Sequence, residues 1–114
     1  MTEACEKRTE RTRQLNDRFR EDPKDGKIVV TEGVAVIAYN IGLGEILEAV
    51  KTFDRFDEAN DPHSEHDFGA IEFDGAKVFW KIDYYDRAIQ AGSADPSDAK
   101  QTTRVMTIMT AEEY

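Results

Sequence analysis

A chain of 114 residues and 13.0 kDa is long enough to bury about 60 to 70% of its unfolded surface in one core, so one domain without disulfide or metal staples is expected. The formal net charge is -9, and twelve acids lie between Asp54 and Asp98 against Arg55, Lys77, Lys81 and Arg87, which sets this segment aside as a phosphate-backbone binder and predicts no direct binding of duplex DNA. The lone Cys5 excludes an intramolecular disulfide and predicts a reducing cytoplasm; no signal-peptide core and no bilayer-length apolar run are found, so no membrane contact is expected.

All three prolines follow aspartate, at Asp22-Pro23, Asp61-Pro62 and Asp95-Pro96, and the residue before proline is pushed away from helical backbone. They divide the chain into an N-terminal helical segment, a strand and helix unit, a hairpin and a final strand, which group as a charged N-terminal helix over residues 1–22 and a single α+β domain over 23–114, one domain overall. Residues 3–21 lack glycine and proline, and Ala4, Thr12, Leu15 and Phe19 form a narrow apolar stripe at helical spacing. Its second half is expected to dock. The remaining faces read as solvated, with ion pairs such as Glu3 with Lys7 and Arg13 with Asp17, and the acids that interrupt the basic stripes argue against a nucleic-acid arm.

Asp25-Gly26 turns the chain into the β-branched run Lys27 to Thr31. Val34 to Tyr39 fits either a strand or the approach to a helix. From Gly42 or Gly44 onward, Ile46, Leu47, Val50, Phe53 and Phe56 follow helical spacing and predict a helix that buries one face against the sheet. The nearby glycines lack the lysine and spacing of a phosphate loop.

Phe68 to Phe73, Asp74-Gly75 and Ala76 to Tyr85 read as a hairpin, because Asp-Gly between two strand-like runs is a strong two-residue turn signal. That turn sets Phe73 opposite Ala76, Ile71 opposite Val78, Gly69 opposite Trp80 and Phe68 opposite Lys81; carried further, it sets His66 opposite Asp83. Ile71, Phe73, Val78, Trp80 and Ile82 then share the core face. Gly69 leaves room for the indole. The other face carries His66, Phe68, Phe79, Lys81, Asp83 and Tyr85, and is expected to be partly exposed. Gln90 to Lys100 is a polar loop, and Thr102 to Thr110 a last strand, apolar on both faces and so central. The expected fold is α+β: an antiparallel sheet with a central hairpin, packed on one face by one or two helices.

The densest group of titratable side chains runs from Asn60 to Gly69 and continues in Trp80 to Asp86. With His66 facing Asp83, an aspartate would orient an imidazole for proton transfer, and Lys81, Tyr85 or Glu65 could assist it. No serine, threonine or cysteine is placed as a nucleophile. His63, Glu65, His66, Asp67 and Asp61 are of metal-ligand type, but their spacing matches no zinc or calcium pattern, so no metal and no cofactor is expected. The competing reading is a structural cross-strand pair in a binding module, with Asp57, Glu58, Asp61, His63, Asp67, Tyr84 and Asp86 as binding residues.

Asn60-Asp61-Pro62 with Glu65-His66-Asp67-Phe68-Gly69, then Trp80-Lys81-Ile82-Asp83-Tyr84-Tyr85-Asp86, Thr103-Arg104-Val105, Thr107-Ile108-Met109 and Glu113-Tyr114, resemble a small bacterial family catalogued as domain of unknown function 3768. The resemblance runs from about Arg11 onward, and departs from the family pattern at Ser64, where glycine is the usual residue. It implies an accessory protein of bacterial chromosomes or plasmids, often beside conjugation or anti-restriction genes. The resulting expectation is a non-catalytic acidic module that binds another protein, in its sharpest form a DNA mimic that blocks a DNA-binding partner. The alternative is a small acid-base enzyme, hydrolase-like, centred on His66 and Asp83.

Overall fold

A computed structural model describes residues 3–73 and 75–114. Among these the order is α1 (Glu3–Glu21), β1 (Gly26–Val30), α2 (Glu32–Ile41), α3 (Leu43–Lys51), β2 (Phe68–Phe73), β3 (Ala76–Tyr85) and β4 (Thr103–Thr110), closed by a 3-10 turn at Ala111–Glu113. The four strands form one sheet in the order β1-β4-β3-β2. β3 runs antiparallel to both neighbours, whereas β1 lies parallel to β4, so the α+β fold carries a mixed sheet rather than the purely antiparallel one expected. The sequence pattern identifies β1 as a strand but contains nothing that sets its direction, because its partner lies at the far end of the chain. β4 is central, as its two-sided apolar pattern predicts, and the hairpin places β2 at an edge.

The β2–β3 register agrees pair for pair with the expected one, from Phe68 with Lys81 to Phe73 with Ala76. The turn residue Asp74 lies outside the described residues; Gly75 takes φ 82°, a left-handed conformation that suits glycine. Val78, Trp80 and Ile82 face the helices together with Ile71, Met106 and Ile108, and Trp80 is fully buried. A Cβ on Gly69 would sit 2.6 Å from Trp80 Cε2 and 2.8 Å from Cζ2, so the edge strand yields its side chain to the indole.

α1 docks through Thr12, Leu15, Asn16, Phe19 and Arg20. The buried stripe is thus wider and more polar than the apolar one read from sequence. Glu3 and Lys7 pair at 3.2 Å. Arg13 does not pair with Asp17: it donates to the Ser64 carbonyl at 3.0 Å, while Asp17 faces Arg20 and His66.

Val34 to Tyr39 belong to helix α2, whose first turn is capped by Thr31. At Gly42, φ 90°, the chain bends by 106° into α3. α3 ends at Lys51, before Phe53 and Phe56, yet both rings still pack from the following loop, with centroids 5.6 and 6.2 Å from that of Trp80. All three helices cover the Trp80 face. Among the described residues no single helix is long and apolar enough to cross a membrane.

Candidate binding groove on the open sheet face

The loop between α3 and β2 is built by two aspartates. Asp57 Oδ1 accepts from the backbone N–H groups of Ala59 and Asn60, at 2.9 and 3.0 Å. Asp61, 7% exposed, accepts from those of Glu65 and His66, at 2.9 and 3.0 Å. Ser64 and His66 have φ of 58° and 55°, a region costly for residues with a Cβ, and the Asp61 bonds hold them there. Asp61 therefore shapes the loop from a buried position.

That backbone turn redirects His66. Its ring stacks on Phe56 at 3.7 Å, on the helix side of the sheet; Nδ1 lies 2.8 Å from Asp17 Oδ1 and Nε2 3.7 Å from Asp61 Oδ2. The expected pair with Asp83 does not form. Regular pairing stops at Asp67, whose carbonyl accepts from Ile82 N at 2.8 Å, and β-alternation no longer governs the residue before it. Asp83 instead pairs with Lys81 at 2.8 Å on the opposite face. His66 borders an open cleft of about 710 Å³ with Asp17, Arg20 and Phe56. Nδ1 is thus within hydrogen-bond distance of a carboxylate, whereas the Nε2–Asp61 separation exceeds one.

Glu65 and Tyr84 enter a largely buried network. Tyr84 donates to Glu65 Oε1 at 2.6 Å and accepts from Asn16 Nδ2 at 2.8 Å; Asn16 Nδ2 also reaches the Glu65 carbonyl at 3.0 Å, and Asn16 Oδ1 accepts from Arg104 Nε at 2.6 Å. Burial, then the Glu65 bond, pushes the Tyr84 phenol well above its usual range. This network joins α1, the loop, β3 and β4. Arg20 seals its end by donating to the carbonyls of Val50 and Phe53, at 2.8 and 3.0 Å, with its guanidinium 4.8 Å from the Trp80 ring. The sequence reading missed Asn16 and Arg20, although both lie at helical spacing from Thr12.

Of the remaining site residues, His63, Asp67, Lys81 and Asp83 meet on the sheet face that carries no helix. A groove of about 430 Å³ is lined there by His63, Asp67, Phe68, Lys81, Asp83 and Tyr114 among others. Phe68, Phe79 and Tyr114 form an aromatic cluster, with centroids 5.1 to 6.0 Å apart. Tyr114 is 75% exposed, and nothing in the periodicity marks it. The Asp83 hydrogen bond holds the Lys81 ammonium above its ordinary value. Burial, then the Glu65 charge, raises Asp67. Strand alternation puts Lys27, Lys77 and Lys81 on this face against Glu72 and Asp83, so the acidic excess lies around the face rather than on it. Tyr85 shares the face, whereas Asp86 is spent on a turn, accepting from Gln90 N at 3.0 Å. Among the described residues no group of three His, Cys, Asp or Glu side chains is placed to hold a metal ion.

Both motifs that build this groove fall inside a match to the family model described as Protein of unknown function (DUF3768), over residues 30–113. The chain belongs to this family. The DUF3768 match begins at the last residue of β1, later than the resemblance from Arg11, and leaves out α1 with its network residues Asn16, Asp17 and Arg20. No curated protein and no solved structure matches the chain.

Proposed function

We propose that this DUF3768 protein is a non-catalytic protein-binding module, bacterial and cytoplasmic, that docks a partner on its open sheet face. The observation that carries this reading is the groove between the 59–63 loop and β3, walled by half-buried Phe68 and exposed Tyr114 on a face that no helix covers. Partly buried aromatics beside a polar fringe are what protein interfaces use as anchors. Exposed acids of the adjoining loop, Asp57 and Glu58, form the rim and favour a partner with a basic fringe. In its sharpest form the partner is a DNA-binding protein of the restriction type, for which these acids stand in for phosphates.

The test compares capture of partner proteins by the wild type, Tyr114→Ala and the pair Asp57→Asn with Glu58→Gln. Tyr114 is exposed enough to leave the fold intact. A partner lost with Tyr114→Ala, and bound less tightly and with less salt sensitivity by the acid-to-amide pair, supports the reading. A partner held equally by all three contradicts it.

One observation favours a second, acid-base reading of the same groove: Asp67 is raised by burial beside the Lys81–Asp83 pair. Asp67→Asn tests the second reading, since it abolishes turnover in the enzyme, whereas the module has no turnover to lose.

A further inference from the structure

The flank of α1 opposite the His66 cleft borders a separate cavity of about 240 Å³. Leu15 and Phe19, 7% and 6% exposed, supply apolar wall, and Ala99 lines the side next to the polar loop. Two arginines, Arg18 and Arg104, also line it.

Arg104 is 5% exposed. Its Nε donates to Asn16 Oδ1 at 2.6 Å, its Nη2 donates to the Pro96 carbonyl, and its guanidinium carbon lies 5.2 Å from the Tyr84 ring. Among the described residues Nη1 takes no hydrogen bond, and no carboxylate comes within 4.0 Å of Arg104 or of Arg18. The two acids in the wall are already neutralised: Asp22 pairs with Lys24 at 3.3 Å and Asp25 with Arg87 at 3.2 Å. The unmatched charge at this cavity is therefore positive, in a protein whose formal charge is -9.

A buried cation with no carboxylate in contact is costly: burial pulls the Arg104 guanidinium below its ordinary value, and the more distant Glu65 charge offsets this only in part. An anion entering the cavity would supply the missing partner, and arginine forks match carboxylate and phosphate oxygens in shape. The volume lies below the roughly 300 Å³ at which clefts for drug-sized ligands begin, so the occupant is small.

We propose that this cavity binds a small organic anion, with its carboxylate or phosphate on Arg104 and Arg18 and a short apolar body against Leu15 and Phe19. The site is independent of the groove on the open sheet face and uses none of its residues.

The test is an NMR titration of the full chain, labelled with nitrogen-15, at low ionic strength near neutral pH. The probes are benzoate and phenyl phosphate, with benzamide as the uncharged control of the same shape. One or both anions are expected to bind with a Kd on the order of 1 mM, shifting the amides of Leu15, Phe19, Thr102 and Arg104; the tighter one names the headgroup. Benzamide is expected to bind about tenfold or more weakly, as is the better anion to Arg18→Gln, since a charge-assisted bond is removed in each case. Arg18 is exposed, so this variant keeps the fold, and an unchanged spectrum away from the cavity verifies it. No saturable shift with either anion, equal binding of benzamide, or an undiminished affinity in Arg18→Gln overturns the proposal.

Discussion

Gly69→Ala probes the packing on which the whole arrangement rests. Gly69 faces Trp80 across the β2–β3 ladder, and a Cβ there would meet the indole edge at 2.6 Å from Cε2 and 2.8 Å from Cζ2. Contacts that close require something to shift. The indole has little freedom to do so: it is fully buried, Phe53 and Phe56 pack edge-on at interplanar angles of 78° and 87°, and Arg20 covers its face at 4.8 Å. One inserted methyl in a well-packed core costs about 1 to 3 kcal/mol, and this constrained site belongs at the upper end, about 3 kcal/mol. Gly44→Ala is the control, because its added Cβ meets nothing within 4 Å near the start of α3; helix propensity predicts no loss and a gain of up to about 0.5 to 1 kcal/mol. Urea unfolding monitored by circular dichroism measures both through their midpoints. In a Trp80→Phe background the smaller ring leaves space, and the Gly69→Ala cost shrinks. A Gly69→Ala midpoint equal to wild type, or a cost unchanged by Trp80→Phe, would refute the reasoning.

Two further effects follow from the network and the C-terminal turn. Because His66 Nδ1 meets Asp17 at 2.8 Å whereas Asp83 pairs with Lys81, a double-mutant cycle of Asp17→Asn with His66→Ala should show a coupling of at least about 0.5 kcal/mol, and the cycle of Asp83→Asn with His66→Ala should be additive; the opposite pattern would restore the cross-strand pair. Glu113 accepts from Thr31 Oγ1 at 2.6 Å, Thr110 N at 2.8 Å and Gly33 N at 3.0 Å, and the Thr31 bond leads in lowering its carboxyl from 4.5 to about 2. A folded-state value below the unfolded one stabilises the protein above pH 4.5, and that contribution is lost as pH falls from there toward 2. The stability difference between wild type and Glu113→Gln should accordingly shrink over that interval, and a difference independent of pH would count against the assignment.

The hairpin was legible in the sequence because strand alternation and the two-residue turn act over adjacent residues, and Gly69 opposite Trp80 satisfies both at once. The same logic failed two residues beyond the ladder. Ser64 and His66 take positive φ under the hold of Asp61, and no periodic pattern records a side chain that reorganises its own loop. Val34 to Tyr39 were ambiguous because a short apolar run fits strand and helix alike; the Thr31 cap decides for helix. Asn16 and Arg20 lie at helical spacing from Thr12, so polar members of a docking stripe were there to be read, but a search for apolar side chains passes over them. Of the candidate site, the open face and its Lys81, Asp83 and Tyr85 were visible from alternation. The His63 and Asp67 contribution to the groove depends on the loop path, and Tyr114 depends on the turn after β4.

The central claim, that a partner protein docks on the open sheet face, is tested most directly by site-specific photocrosslinking in the native host. A photoreactive residue replaces Tyr85 on the open face in one variant and Tyr39 on the helix layer in another; Tyr39 is 90% exposed and reaches solvent freely. The account predicts a discrete crosslinked partner from position 85 that Tyr114→Ala abolishes, and none from position 39. Crosslinks from position 39 alone, or from neither position, would contradict it.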